Sequence, residues 1–169
     1  MLDHRTLIVG VGNIFLSDDA FGVAVARRLA GQALPPGVRV ADFGIRSVHL
    51  AYEILDKKYD TVIIVDAMAR GGSPGDLYLL EPCDDQLNGC PSADAHTMNP
   101  DAVIGLLRKL GAIPKRLLVV GCEPLTLEED MGLSEPVKQA VDKAVPLILK
   151  ALKLAEPIPA EAYPVPGEN

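Results

Sequence analysis

Two adjacent acids, Asp18 and Asp19, follow a glycine-rich turn in Gly10-Val11-Gly12-Asn13-Ile14-Phe15-Leu16-Ser17-Asp18-Asp19-Ala20-Phe21-Gly22. A third acid, Asp66, closes the apolar run Val62-Ile63-Ile64-Val65. His96 sits in the polar stretch Ser92-Ala93-Asp94-Ala95-His96-Thr97-Met98. If Asp19, Asp66 and His96 converge, they form a mixed oxygen and nitrogen set suited to a divalent transition metal such as nickel, zinc or manganese. Three protein ligands leave positions open for water or substrate, as catalytic rather than structural metal sites do.

Each residue also has a plainer reading. Asp18 or Ser17 can cap a helix while the second acid meets the positive end of the helix dipole. As a cap alone, Asp18 would be worth about 1 kcal/mol or less against Asn. Capping and chemistry both remain open for the pair, including the division in which Asp18 caps and Asp19 faces a cleft. Asp66 can be a solvated loop residue, but a carboxylate straight after four apolar residues is costly to bury without a partner. A lone loop histidine is usually a surface residue, so His96 gains meaning only through convergence. His4 and His49 read as structural or incidental. Asp42 and Arg46, in Asp42-Phe43-Gly44-Ile45-Arg46, fall at the end of a short strand, where substrate contact and turn formation are equally good readings.

The elements that must position these residues alternate. Thr6–Val11 reads as a strand and 19–31 as a helix. Val38-Arg39-Val40-Ala41-Asp42 reads as a strand, and 47–57 as a helix with Val48, Leu50, Ala51, Ile54 and Leu55 at helical spacing. Residues 60–66 are a β-branched run typical of a central parallel strand covered on both faces. Residues 75–81 follow after a loop too short for a helical crossover, which predicts an antiparallel strand. Asn99-Pro100-Asp101 reads as the start of a helix closed by Gly111. Residues 115–121 form the last strand, and Ser134-Glu135-Pro136-Val137 opens a helix reaching about residue 154. The order βαβαββαβα predicts an α/β fold: a three-layer sandwich whose mostly parallel sheet carries one antiparallel strand and helices on both faces. The ends of the first and third strands then meet at one sheet edge, where open α/β sheets hold ligands.

Composition bounds the rest. With 169 residues, one domain over 1–155 is expected, followed by a mobile tail over 156–169 containing Pro157, Pro159, Pro164 and Pro166. A formal net charge of −7 argues against nucleic acid and anionic membrane as partners. No apolar run approaches the roughly 20 residues of a membrane helix. The N-terminal residues lack a signal-peptide core, and three cysteines without a Cys-x-x-Cys pair suit free thiols in a reducing cytoplasm.

Several nucleotide and hydrolase signatures are missing. The third glycine of a dinucleotide fingerprint would fall at Phe15, and two acids at a helix start would repel a pyrophosphate. No P-loop, Gly-x-Ser-x-Gly elbow or His-Glu-x-x-His occurs. No cofactor-binding residues are therefore expected beyond the metal set.

The stretch from Gly10 to Gly22 closely resembles the N-terminal signature of the hydrogenase maturation endopeptidases. The resemblance extends through Val65-Asp66-Ala67, His96 ahead of a helix, Val119 to Gly121 with Glu123-Pro124, and Gly132-Leu133-Ser134. It covers the chain to about residue 154. It implies a twisted five-stranded sheet between helices. It also implies an endopeptidase that removes a C-terminal extension from the precursor of a nickel–iron hydrogenase large subunit after nickel insertion. The family's metal-contacting positions map onto Asp19, Asp66 and His96, with nickel brought by the precursor and the free enzyme metal-free. Hydrolysis would proceed through the metal or through Asp19 or Asp66 as general base. The turn Asp42-Phe43-Gly44-Ile45-Arg46 departs from the Asp-Gly-Gly-Thr type of many members, which bears on the choice of hydrogenase partner. A monomer is expected. The rivals are a non-enzymatic nickel-dependent checkpoint for the same precursor and a small-molecule-binding α/β module.

Overall fold

Uninterrupted β-branched sequence makes the centre of the sheet. Thr61-Val62-Ile63-Ile64-Val65 favours extended backbone and offers apolar surface to both faces. In the computed structural model, which describes residues 4–82 and 100–153, these residues lie in β3 (Thr61–Ala67), buried along almost its whole length. The other strands are β1 (Thr6–Val11), β2 (Val38–Gly44), β4 (Leu77–Leu80) and β5 (Arg116–Cys122). The helices are α1 (Phe21–Ala30), α2 (Ser47–Lys57), α3 (Pro100–Lys109) and α4 (Glu135–Ala151).

The five strands run in the order β2-β1-β3-β5-β4. All neighbours are parallel except β4, which pairs antiparallel with β5. The short loop after β3 thus gives the reversed strand it predicts. Two apolar layers flank the sheet. Phe21, Val25 and Leu29 of α1 and Val137, Val141 and Ile148 of α4 cover one face. Leu50 and Ile54 of α2 and Val103 and Leu107 of α3 cover the other. The alternation of side chains along each strand feeds both layers, Ile63 and Val65 to one and Val62 and Ile64 to the other.

The first helix starts later than its sequence suggests. Ser17–Ala20 form a single 3-10 turn, and α1 begins at Phe21. Ser17 takes a positive φ of 52°, a conformation costly for a residue with a side chain. It is held there from outside: its backbone N–H donates to the Asp130 carbonyl and its hydroxyl to the Glu128 carbonyl at 2.7 Å. Among the described residues no side-chain cap forms on either the turn or α1, so Asp18 does not take the capping role that was open to it. β4 is shorter than 75–81, and α4 ends at Ala151 rather than near 154. The expected domain end and proline-rich tail, together with Cys83, Cys90 and the Asn99 cap, lie outside the described residues; Cys122 is a buried free thiol.

Two glycines set how near α1 comes to the sheet. A Cβ on Gly22 would stand 2.0 Å from the Val65 carbonyl oxygen and 2.5 Å from that of Val11. A Cβ on Gly12, whose φ is +138°, would stand 1.9 Å from the Asp19 carbonyl oxygen. Only glycine lets the chain turn here and press the 3-10 segment onto the ends of β1 and β3.

Candidate active site

The β2-β1-β3 order makes the gap between the C-terminal ends of β1 and β3 the point where the chain's winding reverses, the usual ligand position in such sheets. Asp66 arrives there as the penultimate residue of β3, in register with Gly121 of β5. Asp19 arrives from the 3-10 turn that packs against β3. Gly12 separates them: the place of its missing Cβ is 3.7 Å from Asp66 Oδ1 and against the Asp19 backbone.

Asp66 is fully buried. Its Oδ1 accepts a hydrogen bond from the Ala67 N–H at 2.8 Å, while Oδ2 has no partner among the described residues. A buried carboxylate oxygen left this way is expensive unless a proton or cation satisfies it. Burial raises its pKa well above the usual carboxylate range, and the neighbouring Asp19 charge pushes the same way. Asp19 is partly buried, and its Oδ2 accepts from the Asn13 N–H at 2.8 Å. Burial raises its pKa too, the Asn13 bond opposing. Two carboxylates of raised proton affinity side by side form a site for a cation or for proton transfer.

Asp18 faces the other way. Its fully buried carboxylate accepts from the Leu125 N–H at 2.8 Å, the Thr126 N–H at 3.2 Å, the Ser134 N–H at 2.7 Å and the Ser134 hydroxyl at 2.8 Å. It ties the 3-10 turn to the loop after β5 and to the residue that starts α4. The pair therefore divides: Asp19 lies beside the Asp66 carboxylate, and Asp18 holds the turn.

The remaining candidates distribute as follows. His96 lies outside the described residues, and among those described no group of three His, Cys, Asp or Glu side chains is placed to hold a metal. Asp42 lies near the end of β2, paired with Gly10 of β1; its Oδ1 accepts from the Gly44 N–H, shaping the turn into α2, and its Oδ2 lies 3.8 Å from Arg27 Nε. Arg46 folds back onto the same turn, donating to the Asp42 and Phe43 carbonyls with its guanidinium over the Phe43 ring. The turn role is realised for both residues. The Gly44 carbonyl accepts from the Gly12 N–H, so this turn lies beside the glycine-rich one. His4 bonds Thr61 at the opposite sheet edge, lining a cavity of about 740 Å³ with Arg5, Arg39 and Lys57; it plays no part at the carboxylates.

A third buried acid escapes a reading based on motif chemistry. Glu123, just past β5, accepts from the Tyr78 hydroxyl at 2.6 Å and from the backbone N–H groups of Arg70 and Gly71. Burial alone would raise its pKa, but the Tyr78 hydroxyl and the backbone donors outweigh it and hold the carboxyl below its ordinary value. Glu123 thereby fastens the loop that follows Asp66. In the sequence it shows as a charged residue at the exit of an apolar strand and as part of the Glu123-Pro124 pair.

Comparison with known proteins agrees with this architecture. Residues 23–151 match the model of the family described as hydrogenase maturation protease. The hydrogenase 2 maturation protease of Escherichia coli is 32% identical, over 94% of this chain and 98% of that protein. Among solved structures, the hydrogenase maturating endopeptidase HybD from E. coli superposes with a TM-score of 0.73 at 30% identity, covering 88% of this chain and 92% of its own. The [NiFe] hydrogenase maturation protease HycI from Thermococcus kodakarensis gives 0.72 at 28% identity, covering 89% and 94%. These share the α/β architecture described above.

Proposed function

This chain belongs to the hydrogenase maturation protease family, a family of hydrolases, and on that premise we propose that it removes the C-terminal extension of a [NiFe] hydrogenase large-subunit precursor. The precursor is recognised through the nickel it already carries. The observation that carries this reading is Asp66 Oδ2, buried beside Asp19 and unpartnered among the described residues.

Asp19 and Asp66 supply hard oxygen donors, and His96 supplies an imidazole, a set that fits nickel presented on the precursor's own ligands. Bound there, the nickel would polarise the scissile carbonyl or acidify a water. The chain's own residues do the rest. Asp66, walled by the ends of β3 and β5, keeps water from one of its oxygens. Asp19, with pKa raised by burial, is suited to take a proton from the attacking water and return it to the leaving amine. The Asn13 N–H fixes the direction of that carboxylate. Because the charge that completes the site arrives with the substrate, a precursor without nickel binds weakly and stays uncut.

The test is precursor mass after incubation with the purified chain. Loss of a C-terminal peptide from nickel-loaded but not nickel-free precursor supports the reading. Stable nickel-dependent binding with no mass change overturns it in favour of a checkpoint that holds without cutting.

A further inference from the structure

Four large apolar side chains stand out from two loops beside Asp19: Phe15 at 60% exposure, Leu125 at 58%, Leu127 at 46% and Met131 at 66%. The loops form one surface. The Asp130 N–H donates to the Phe15 carbonyl at 3.0 Å, and Leu16 forms a bridge with Asp130. Phe15 and Met131 line a shallow cavity of about 450 Å³ together with Asn13, whose N–H holds the Asp19 carboxylate. The backbone under the patch is pinned by Asp18, which takes the Leu125 and Thr126 N–H groups, and by Ser17, which bonds Glu128 and Asp130. Apolar side chains held out on a fixed backbone are prepared to bind, because little ordering remains to be done on association.

We propose that this rim docks an apolar segment of the precursor flanked by lysine or arginine; the occupant rests on the function proposed above. Charge selects it. Glu128, Glu129 and Asp130 are exposed within the patch, and their carboxylates make no ion pair among the described residues. A second copy of this chain meeting the patch across a two-fold axis would set these three acids against themselves. The chain's own residues 154–169 carry Glu156, Glu161 and Glu168 and no lysine or arginine, so they are repelled too. A basic and apolar partner segment satisfies both features of the surface, and continuity with Asp19 places it on the protein being cut.

The experiment uses the full chain and whole precursor, with three variants: Leu125→Ser/Leu127→Ser, Phe15→Ser/Met131→Ser and Glu128→Lys/Glu129→Lys. Ile113→Ser, also partly exposed but ahead of β5 at the opposite edge, is the control. Both steady-state cleavage and direct binding to immobilised precursor are measured. The apolar variants should raise KM and Kd by about tenfold with kcat within about twofold, and the lysine variant should flatten the salt dependence. Unchanged KM and Kd in all three, or an equal rise in the control, overturns the proposal. So does altered sedimentation of the free chain without altered KM, which would make a second copy the occupant. Cleavage by the unaltered chain tests the protease reading by itself: binding lost in the rim variants with no cleavage by the parent would sustain the rim and remove the protease. A parent that neither binds nor cuts removes both.

Discussion

The Asp18 carboxylate accepts two hydrogen bonds from Ser134, from its backbone N–H at 2.7 Å and its hydroxyl at 2.8 Å, across 116 positions of sequence. With the Leu125 and Thr126 bonds this makes a four-donor cradle around a buried charge. The residue next to Asp19 is thus spent on holding the turn that presents Asp19.

Asp18→Asn should therefore cost far more than a lost helix cap. The new amide turns donors toward donors, and leaving buried N–H groups unpaired costs about 1–3 kcal/mol each. A total near 3 kcal/mol is expected in urea unfolding. Ser134→Ala, which removes a single donor, should cost about 1 kcal/mol. Cleavage measured where Asp18→Asn remains folded should stay within about tenfold of the parent. Full loss of activity in a folded Asp18→Asn chain would contradict the division between the two acids.

Asp66→Asn should do the opposite. The raised pKa of Asp66 means the folded chain holds this proton more tightly than the unfolded chain. Stability is then highest below the ordinary carboxylate pKa and falls as pH rises through the folded-state value. At neutral pH the charge is a burden, and its removal should raise Tm by ~2–4 °C, about 1 kcal/mol for a chain of this size. The gain should vanish as pH drops toward 4, where the parent is protonated as well. Thermal scans across pH check this, and a lower Tm for Asp66→Asn at neutral pH would show that the carboxylate is satisfied in the folded chain.

Glu123 carries the reverse sign. Its pKa is held below the ordinary value, so its contribution is present above that value and is lost as pH falls through the folded-state one. Tyr78→Phe removes the 2.6 Å bond and should lower stability by about 1–2 kcal/mol at neutral pH. Hydrogen exchange should speed up first at the Arg70 and Gly71 amides that Glu123 accepts from. Unchanged exchange there would mean the clasp does not order the loop after Asp66.

Gly12→Ala places a methyl against the Asp19 carbonyl at a φ that disfavours any side chain. Overpacking and strain together should cost about 3 kcal/mol and displace Asp19. Cleavage should fall by at least about 100-fold even below the unfolding range, since reacting groups tolerate little misplacement. Parent-like activity would show that the close approach is not what sets the carboxylate.

The elements with a strong local pattern were legible residue by residue. β1 and α2 begin and end where composition and period place them. The antiparallel β4 followed from loop length, a constraint of chain geometry. What sequence could not show was long-range. The 3-10 turn exists because loop 124–130 holds Ser17 at an unfavourable φ, and that partner is more than 100 residues away. Asp18 looked like a cap because local rules see only neighbours, whereas its four donors come from positions 125–134. Asp66 signalled itself because a carboxylate straight after an apolar strand is costly to bury, whereas its placement beside Asp19 at the switch point depends on the strand order.

The most direct test is the mass of a large-subunit precursor, nickel-loaded and nickel-free, after incubation with the parent chain, Asp19→Asn and His96→Ala. The account predicts loss of a C-terminal peptide only with nickel and only with the parent, while both variants stay folded. Equal cleavage of nickel-free precursor, or cleavage by the folded Asp19→Asn chain, would contradict it.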